Sequence, residues 1–306
     1  MGGNTKITLR ALWLVTAILL SSHALWAQPG SEKTQRAIAL HESGNLTAAR
    51  DQILEALKEP AASRDAYSWY VKGFIYKELY KRDDLESRVS NNREISVEAI
   101  LKAIQMDTSG KLSEFNRKAL KYLAQTYFND ALLIAGSLNK RNDQEARKLF
   151  GRFKELLPYY EQKPDIQPYE IDFLGRLASG YRSIYYNNRD SNQLYLTESI
   201  HCYENILRLQ PEHYAANYNL AISYYNLAAY RISKIDYQTE IFELIVTQDE
   251  CLKQFRLSLP YMLKADSLRP ERKETLKGLM AVYLSMNDTE KSEYYRKKLE
   301  GIISSE

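Results

Sequence analysis

Apolar residues recur at helical spacing, three and four apart, in a succession of segments from about residue 30 to residue 303. A finer pattern repeats within them. Six times a small residue is followed three positions later by a large one: Ala37/Leu40, Gly73/Tyr76, Ala124/Tyr127, Ala178/Tyr181, Ala221/Tyr224 and Met280/Tyr283, Met280 being the bulkiest of the first partners. Each pair is followed by a second helical segment with its own small residue, at Ala49, Ser96, Ala146, Ser199, Ser258 and Ser292. The spacing predicts an all-α chain of about six helix pairs, none of which buries its apolar face without a neighbour. The small residues belong where two helices cross closely, and the large residue one turn on fills the adjoining space.

The spacing inside the pairs is uneven. Ala37 to Ala49 and Met280 to Ser292 are each 12 residues. Gly73 to Ser96 is 23, Ala124 to Ala146 is 22, Ala178 to Ser199 is 21, and Ala221 to Ser258 is 37. Twelve residues after the second small residue the register returns, with Pro158, Pro211 and Pro270, and with Thr108 in the second unit. Proline there ends one helix and admits the next, because it cannot continue the backbone hydrogen bonds. The insertions therefore fall at the tip between the two helices of a unit. Three carry polar turn clusters: Asn91-Asn92-Arg93, Asn139-Lys140-Arg141-Asn142-Asp143 and Asn187-Asn188-Arg189-Asp190. The fifth holds Ile235 to Leu257, read as an additional helix or a very long second helix, with Pro260 at a helix start or at a kink. The extensions would form a ridge, serving either as a second binding surface or as an enlarged core; the enlarged core is preferred.

Trp69, Gly73 and Tyr76, and separately Ala146, Phe150 and Pro158, reproduce the first-helix W-x3-G-x2-Y and second-helix A-x3-F…P cores of the tetratricopeptide (TPR) family, which the chain resembles. Lys72 stands where that family usually has Leu. Ser258 to Ala265 is similar to second helices of exported TPR proteins of Gram-negative bacteria. The resemblance implies a TPR-like α-solenoid, a right-handed superhelix whose units are about 30–60, 66–108, 117–158, 169–211, 214–270 and 271–303, with a tail at 304–306. It implies a protein that holds partners and names none of them.

Residues 1–27 read as an export signal, with Lys6 and Arg10 before the apolar stretch Ala11 to Leu20, and Ala24-Leu25-Trp26-Ala27 at the cut. The apolar run is about ten residues, short of the roughly 20 that span a bilayer. Position 28 is Gln rather than a lipid-accepting Cys. Export to the periplasm is expected, secretion being the alternative, with no transmembrane segment after signal removal. Losing Lys6 and Arg10 from 42 basic residues leaves 40 against 39 acidic ones, a balance that argues against nucleic acid as partner. Cys202 and Cys251 are expected as buried free thiols, since the helical register sets them about 15 Å apart.

Catalytic chemistry finds no foothold in the sequence. His41-Glu42 lacks a second His at metal-protease spacing, His201-Cys202 lacks further zinc ligands, and Gly110-Lys111 lacks the rest of a phosphate loop. No enzyme, metal or cofactor is expected. Tyrosine is abundant, at 24 of 306 residues, and repeat packing accounts for only some of it. First helices line the concave face of TPR proteins, and alignment on the small residues places Tyr67, Tyr70, Phe74 and Lys77 there from the second unit. The third contributes Lys118, Lys121, Gln125, Phe128 and Asn129, the fourth Arg182, and the fifth Tyr218, Tyr225 and Asn226. Such a surface suits an extended protein or peptide segment, with aromatic anchors and cations for an acidic group. It does not match the carboxylate clamp of chaperone-binding TPR domains. The leading expectation is a non-enzymatic scaffold or adaptor. The alternatives are a glycan or small-ligand receptor component of the envelope and a self-assembling structural protein.

Overall fold

The computed structural model describes residues 31–85 and 91–304. Residues 1–27, where an export signal is expected, lie outside the described residues. Thirteen α-helices follow one another with no strand among the described residues. They are α1 (Glu32–Glu42), α2 (Leu46–Ala56), the single turn α3 (Pro60–Ser63), α4 (Ala66–Leu79), α5 (Asn91–Met106), α6 (Ser113–Gly136) and α7 (Asp143–Leu156). Then come α8 (Gln167–Asn187), α9 (Gln193–Leu209), α10 (Tyr214–Ile232), α11 (Ile241–Leu268), α12 (Lys273–Ser285) and α13 (Thr289–Ser304). The chain falls into two compact units, one ending at Ala124 and the other beginning at Gln125, with α6 running through the division.

In the first unit α1 pairs with α2, α2 packs on α4, and α4 pairs with α5. Each start has a local cause. Ser31 accepts a hydrogen bond from the Thr34 amide, Asn45 from Ala48, and the Asp65 carboxylate from Tyr67 and Ser68. The tight α1–α2 turn passes through Gly44 at φ 82°, which a residue with a Cβ adopts only at a cost. Ala37, Ala49, Ile53, Val71, Ile75 and Leu79 form the core. In the second unit the pairs are α8 with α9, α10 with α11, and α12 with α13, each packed on the next. Helices α5, α7, α9 and α11 end at Met106, Leu156, Leu209 and Leu268, each two residues before Thr108, Pro158, Pro211 or Pro270. The periodic stop is therefore where the sequence puts it.

The crossings within hairpins are held by one repeated contact. Ser96 Oγ donates to the Gly73 carbonyl at 2.7 Å, and Ser199 Oγ to Ala178 at 2.9 Å. Ser258 Oγ donates to Ala221 at 2.8 Å, and Ser292 Oγ to Met280 at 3.0 Å. In three of these hairpins two small residues meet and in the fourth Ser292 meets Met280, and in all four the carbonyl of one helix takes a hydroxyl from the other. Bulk is excluded. A Cβ on Gly73 would stand 2.5 Å from Ile100 Cγ1 and 3.2 Å from the Ser96 carbonyl oxygen. Gly180 meets α6 more closely still, against the Ala135 carbonyl and Leu138.

The large residue one turn on links neighbouring hairpins. Tyr181 donates to Asp143 Oδ2 at 3.0 Å and accepts from Arg147 at 3.2 Å, both on α7. Tyr224 donates to Glu204 Oε1 on α9 at 3.1 Å. Burial pushes the Tyr181 hydroxyl up to about 12, and burial beside the Glu204 carboxylate raises that of Tyr224. These phenols stay protonated donors across the physiological range.

The insertions lengthen helices. α6 has 24 residues, α8 21 and α11 28. α11 is one continuous helix carrying Pro260 in its interior, which settles the fifth unit as a very long second helix. Asn139–Asn142 and Asn188–Asn192 form turns as expected. The cluster Asn91-Asn92-Arg93 does not: it opens α5, because Arg93 is 1% exposed, stacks on Tyr80 at 5.3 Å and lies within 3.5 Å of its hydroxyl. Asn92 bonds back to Asp84 at 2.8 Å. Cys202 and Cys251 are buried free thiols, the former raised to about 12 by burial.

Gly73→Ala is expected to destabilise the protein by about 1–3 kcal/mol despite alanine's better helix propensity. Gly180→Ala should cost more, since the obstacle is backbone. Gly151→Ala, with nothing within 4 Å of its Cβ, should be neutral or stabilising. Urea midpoints check the order, and Gly73→Ala should cost less in an Ile100→Ala background.

Candidate functional site

In the first unit α4 presents Tyr67, Tyr70, Phe74 and Lys77 along one stripe, at the i, i+3, i+7 spacing that shares a helix face. All four are half-buried. Their rings run in sequence: Tyr67 to Tyr70 at 6.2 Å, Tyr70 to Phe74 at 6.0 Å, and Phe74 to His41 of α1 at 4.9 Å. Tyr70 also meets Phe115 of α6 at 6.0 Å. Burial pushes the Tyr70 hydroxyl up to about 12 and raises that of Tyr67. Lys77 sits over the Phe74 ring at 4.1 Å, its ammonium 3.1 Å from Glu78. Burial lowers its pKa, with Glu78 opposing.

Three first helices thus contribute to one amphipathic aromatic surface, His41 from α1, the stripe from α4 and Phe115 from α6. Phe115 keeps 41% of its surface exposed. Lys118, exposed and paired with Glu114 at 2.7 Å, and the exposed Lys121 stand on α6. Lys81 lies over Tyr122 at 4.8 Å and pairs with Glu78 at 3.0 Å. In the sequence His41 was weighed only as a metal ligand, and Phe115 and Tyr122 were not singled out. Only His41 shares a groove position of the small-residue alignment, four after Ala37 as Lys77 is after Gly73; Phe115 and Tyr122, nine and two residues before Ala124, do not. Trp69 is engaged internally: its indole N–H donates to the Ser63 carbonyl at 2.9 Å, and Lys72 covers the ring at 5.0 Å.

The second-unit residues have other occupations. Phe128 is 6% exposed and packs among Phe150, Phe153 and Tyr169, centroids 4.8–6.1 Å away, so it is a core residue with no face left for a ligand. The elongated α6 carries it beneath α7 and the start of α8. Gln125 and Asn129 are exposed and bonded to each other at 3.0 Å. Arg182 donates to Asn219, and Asn226 to the Tyr186 hydroxyl at 2.8 Å, so both staple α8 to α10. Arg189, over Tyr186 at 4.9 Å and Tyr230 at 5.1 Å, extends that staple. Tyr218 stacks on Tyr214 at 6.2 Å, and Tyr225 packs on Phe255 at 5.4 Å.

Also in the second unit, a shallow cleft of about 520 Å³ is lined by Gly136, Pro168, Asp172, Gly175, Arg176 and His213, among others. It carries no aromatic cluster, and its Asp172 and Arg176, four residues apart on α8, were not singled out by sequence. His213 caps α10, its Nδ1 accepting from the Ala216 amide at 3.1 Å. Among the described residues no group of three or more His, Cys, Asp or Glu is placed to hold a metal ion. No helix among them is long and apolar enough to cross a membrane.

These helical hairpins define an all-α, TPR-like repeat protein. No family model matches the chain, and no curated protein matches it in sequence. Solved structures to which it is similar include PilW, a widely conserved type IV pilus biogenesis factor, at 14% identity and a TM-score of 0.32, covering 90% of this chain and 99% of that one. Another is the human IFIT1 dimer with m7Gppp-AAAA, at 14% identity and a TM-score of 0.34, covering 86% of this chain and 66% of that one. A third is Acl4, the assembly chaperone of RpL4, at 14% identity and a TM-score of 0.24, covering 89% and 75%. Scores this low carry no argument, and the class rests on the chain's own hairpins.

His213 links this region to pH. Burial, then the nearby Arg269 charge, lowers its pKa from the ordinary 6.5. Just below 6.5 the unfolded chain takes up a proton that the folded chain refuses, so acidification through that window favours unfolding. Protonation also removes the Nδ1 acceptor and with it the cap. His213→Asn, which caps without titrating, should reduce the fall in melting temperature between pH 7.5 and pH 5.5; an unchanged fall would assign it elsewhere.

Proposed function

We propose that the chain is an exported, non-enzymatic scaffold that holds an extended segment of a protein partner against the aromatic first-helix surface of its first unit. The observation that carries this reading is the run His41–Phe74–Tyr70–Tyr67 with Phe115 beside it, half-exposed rings contributed by three successive first helices. Rings held this way offer contact area whose ordering cost is already met. Lys121, exposed on the helix that carries Phe115, suits an acidic side chain or a carboxylate terminus, whereas Lys118 is paired with Glu114. Lys77 is spent on Phe74 and Glu78, so its part is to fix the stripe rather than to meet the ligand. The reading of residues 1–27 as an export signal is what places this scaffold in the periplasm.

The residues assigned earlier from the second unit are not included. Phe128 is core, Arg182 and Asn226 serve the α8–α10 staple, and Tyr225 packs on the α11 extension. A glycan platform built on tryptophan gains no support, since Trp69 is bonded to Ser63 and covered by Lys72.

A photo-crosslinking residue at Phe115, compared with one at Gly151 on α7, tests the reading in cells. A discrete protein adduct at position 115, absent at 151 and lost with Tyr70→Ala/Lys121→Glu, is the expected result. No adduct at 115, or equal adducts at both positions, would overturn it.

A further inference from the structure

The α10–α11 hairpin ends in an apolar tip whose exposure follows from its register. Ser258 Oγ bonds to the Ala221 carbonyl, and Cys251 Sγ to the Ala228 carbonyl at 3.4 Å. Donors and acceptors are each seven residues apart, so the two helices keep one antiparallel alignment over two turns. The same alignment sets Ile232, the last residue of α10, opposite position 247. Residues 241–246 therefore run past the end of α10, with the turn 233–240 beside them.

That projecting segment reads Ile-Phe-Glu-Leu-Ile-Val. Phe242 is 79% exposed, Ile241 76%, Ile245 52% and Val246 40%, and Tyr237 in the adjoining turn 93%. With Ile232 these side chains lay out roughly 700 Å² of largely apolar surface, above the ~300–600 Å² of the largest patch on an ordinary monomer. Ile241 and Ile245, and Phe242 and Val246, pair at i, i+4. The rim of the projecting segment is mainly acidic: Asp236, Glu240 and Glu243 are exposed, whereas Arg231 pairs with Glu250 and Lys234 with Asp190.

We propose that this tip docks an amphipathic helix of a partner protein whose apolar positions are flanked by Lys or Arg. The apolar ridge supplies the anchors for a helix-on-helix contact. The acidic rim selects the flanks, because burying its three carboxylates without cations would cost more than the apolar contact returns. A second copy of this chain would set rim against rim, and an anionic membrane would repel it. The site lies on the second-unit ridge and is independent of the aromatic surface of the first unit.

A display library of amphipathic helical peptides, part with Lys/Arg flanks and part with Asp/Glu flanks, selected on the full chain tests this. Basic-flanked peptides should be enriched and should bind Phe242→Ser/Ile245→Ser about ten-fold or more weakly. These positions are exposed, so circular dichroism should show the variant folded. Glu240→Lys/Glu243→Lys should turn the selection toward acidic flanks, and Tyr70→Ala/Phe74→Ala should leave binding unchanged. The proposal is overturned by no enrichment, or by enrichment that ignores the tip variants. It is equally overturned if wild-type chain self-associates through Phe242 and Ile245, or inserts the tip into neutral vesicles, instead of binding peptide.

Discussion

The close approach of helices at small residues, seen at three of the hairpin crossings, is the constraint on which the rest of this protein depends. With Gly73 against Ser96, Ala178 against Ser199 and Ala221 against Ser258, helix backbones come near enough for a serine hydroxyl to reach the opposite carbonyl. The carbonyl lies within a helix, so the hydroxyl donates an additional hydrogen bond to an oxygen already placed in a helical ladder. Its net contribution is about 0.5–1.5 kcal/mol, whereas forcing a methyl or larger group into the crossing costs about 1–3 kcal/mol. Absence of bulk therefore outweighs the hydrogen bond. Ala37 and Ala49, both completely buried, show that the first hairpin manages with alanine alone.

Once the crossings are set, the other side chains have defined tasks. The tyrosines one turn on reach back to the preceding hairpin, where Tyr181 is held by Asp143 and Arg147 and Tyr224 by Glu204. The phenylalanines around Phe150 fill the space between α6, α7 and α8, Phe150 and Phe173 lying 4.2 Å apart and nearly parallel. What the packing leaves over is informative. The half-buried aromatic stripe on α4 and the bare tip of α11 are two large apolar features among the described residues that neighbouring helices do not fully cover, and both functional proposals rest on them.

Most of the hairpin arrangement was legible in the sequence because its rule is local. A small residue, a large residue one turn on, and a stop twelve residues after the second small residue recur without reference to distant contacts. The errors came where tertiary contact overrides local chemistry. Asn91-Asn92-Arg93 has turn composition, yet Arg93 stacking on Tyr80 draws it into the first turn of α5. Phe128 shares its register with exposed groove positions, but the lengthened α6 carries it under the aromatic residues of α7 and α8. Arg182 and Asn226 do lie on first helices, and partners forty or fewer residues away, Asn219 and Tyr186, claim them. The tip of α11 was read as part of an enlarged core, since apolar spacing alone does not say where the partner helix ends.

Comparing Ser199→Ala with Ser199→Val by urea unfolding tests the central claim most directly. Alanine removes the hydroxyl and adds nothing, and should cost within about 1 kcal/mol. Valine fills the same site with a branched side chain and should cost at least two to three times as much, because Ser199 is completely buried against Ala178. Equal costs for the two variants, or a valine variant as stable as the parent, would contradict an account in which close helix approach sets the fold.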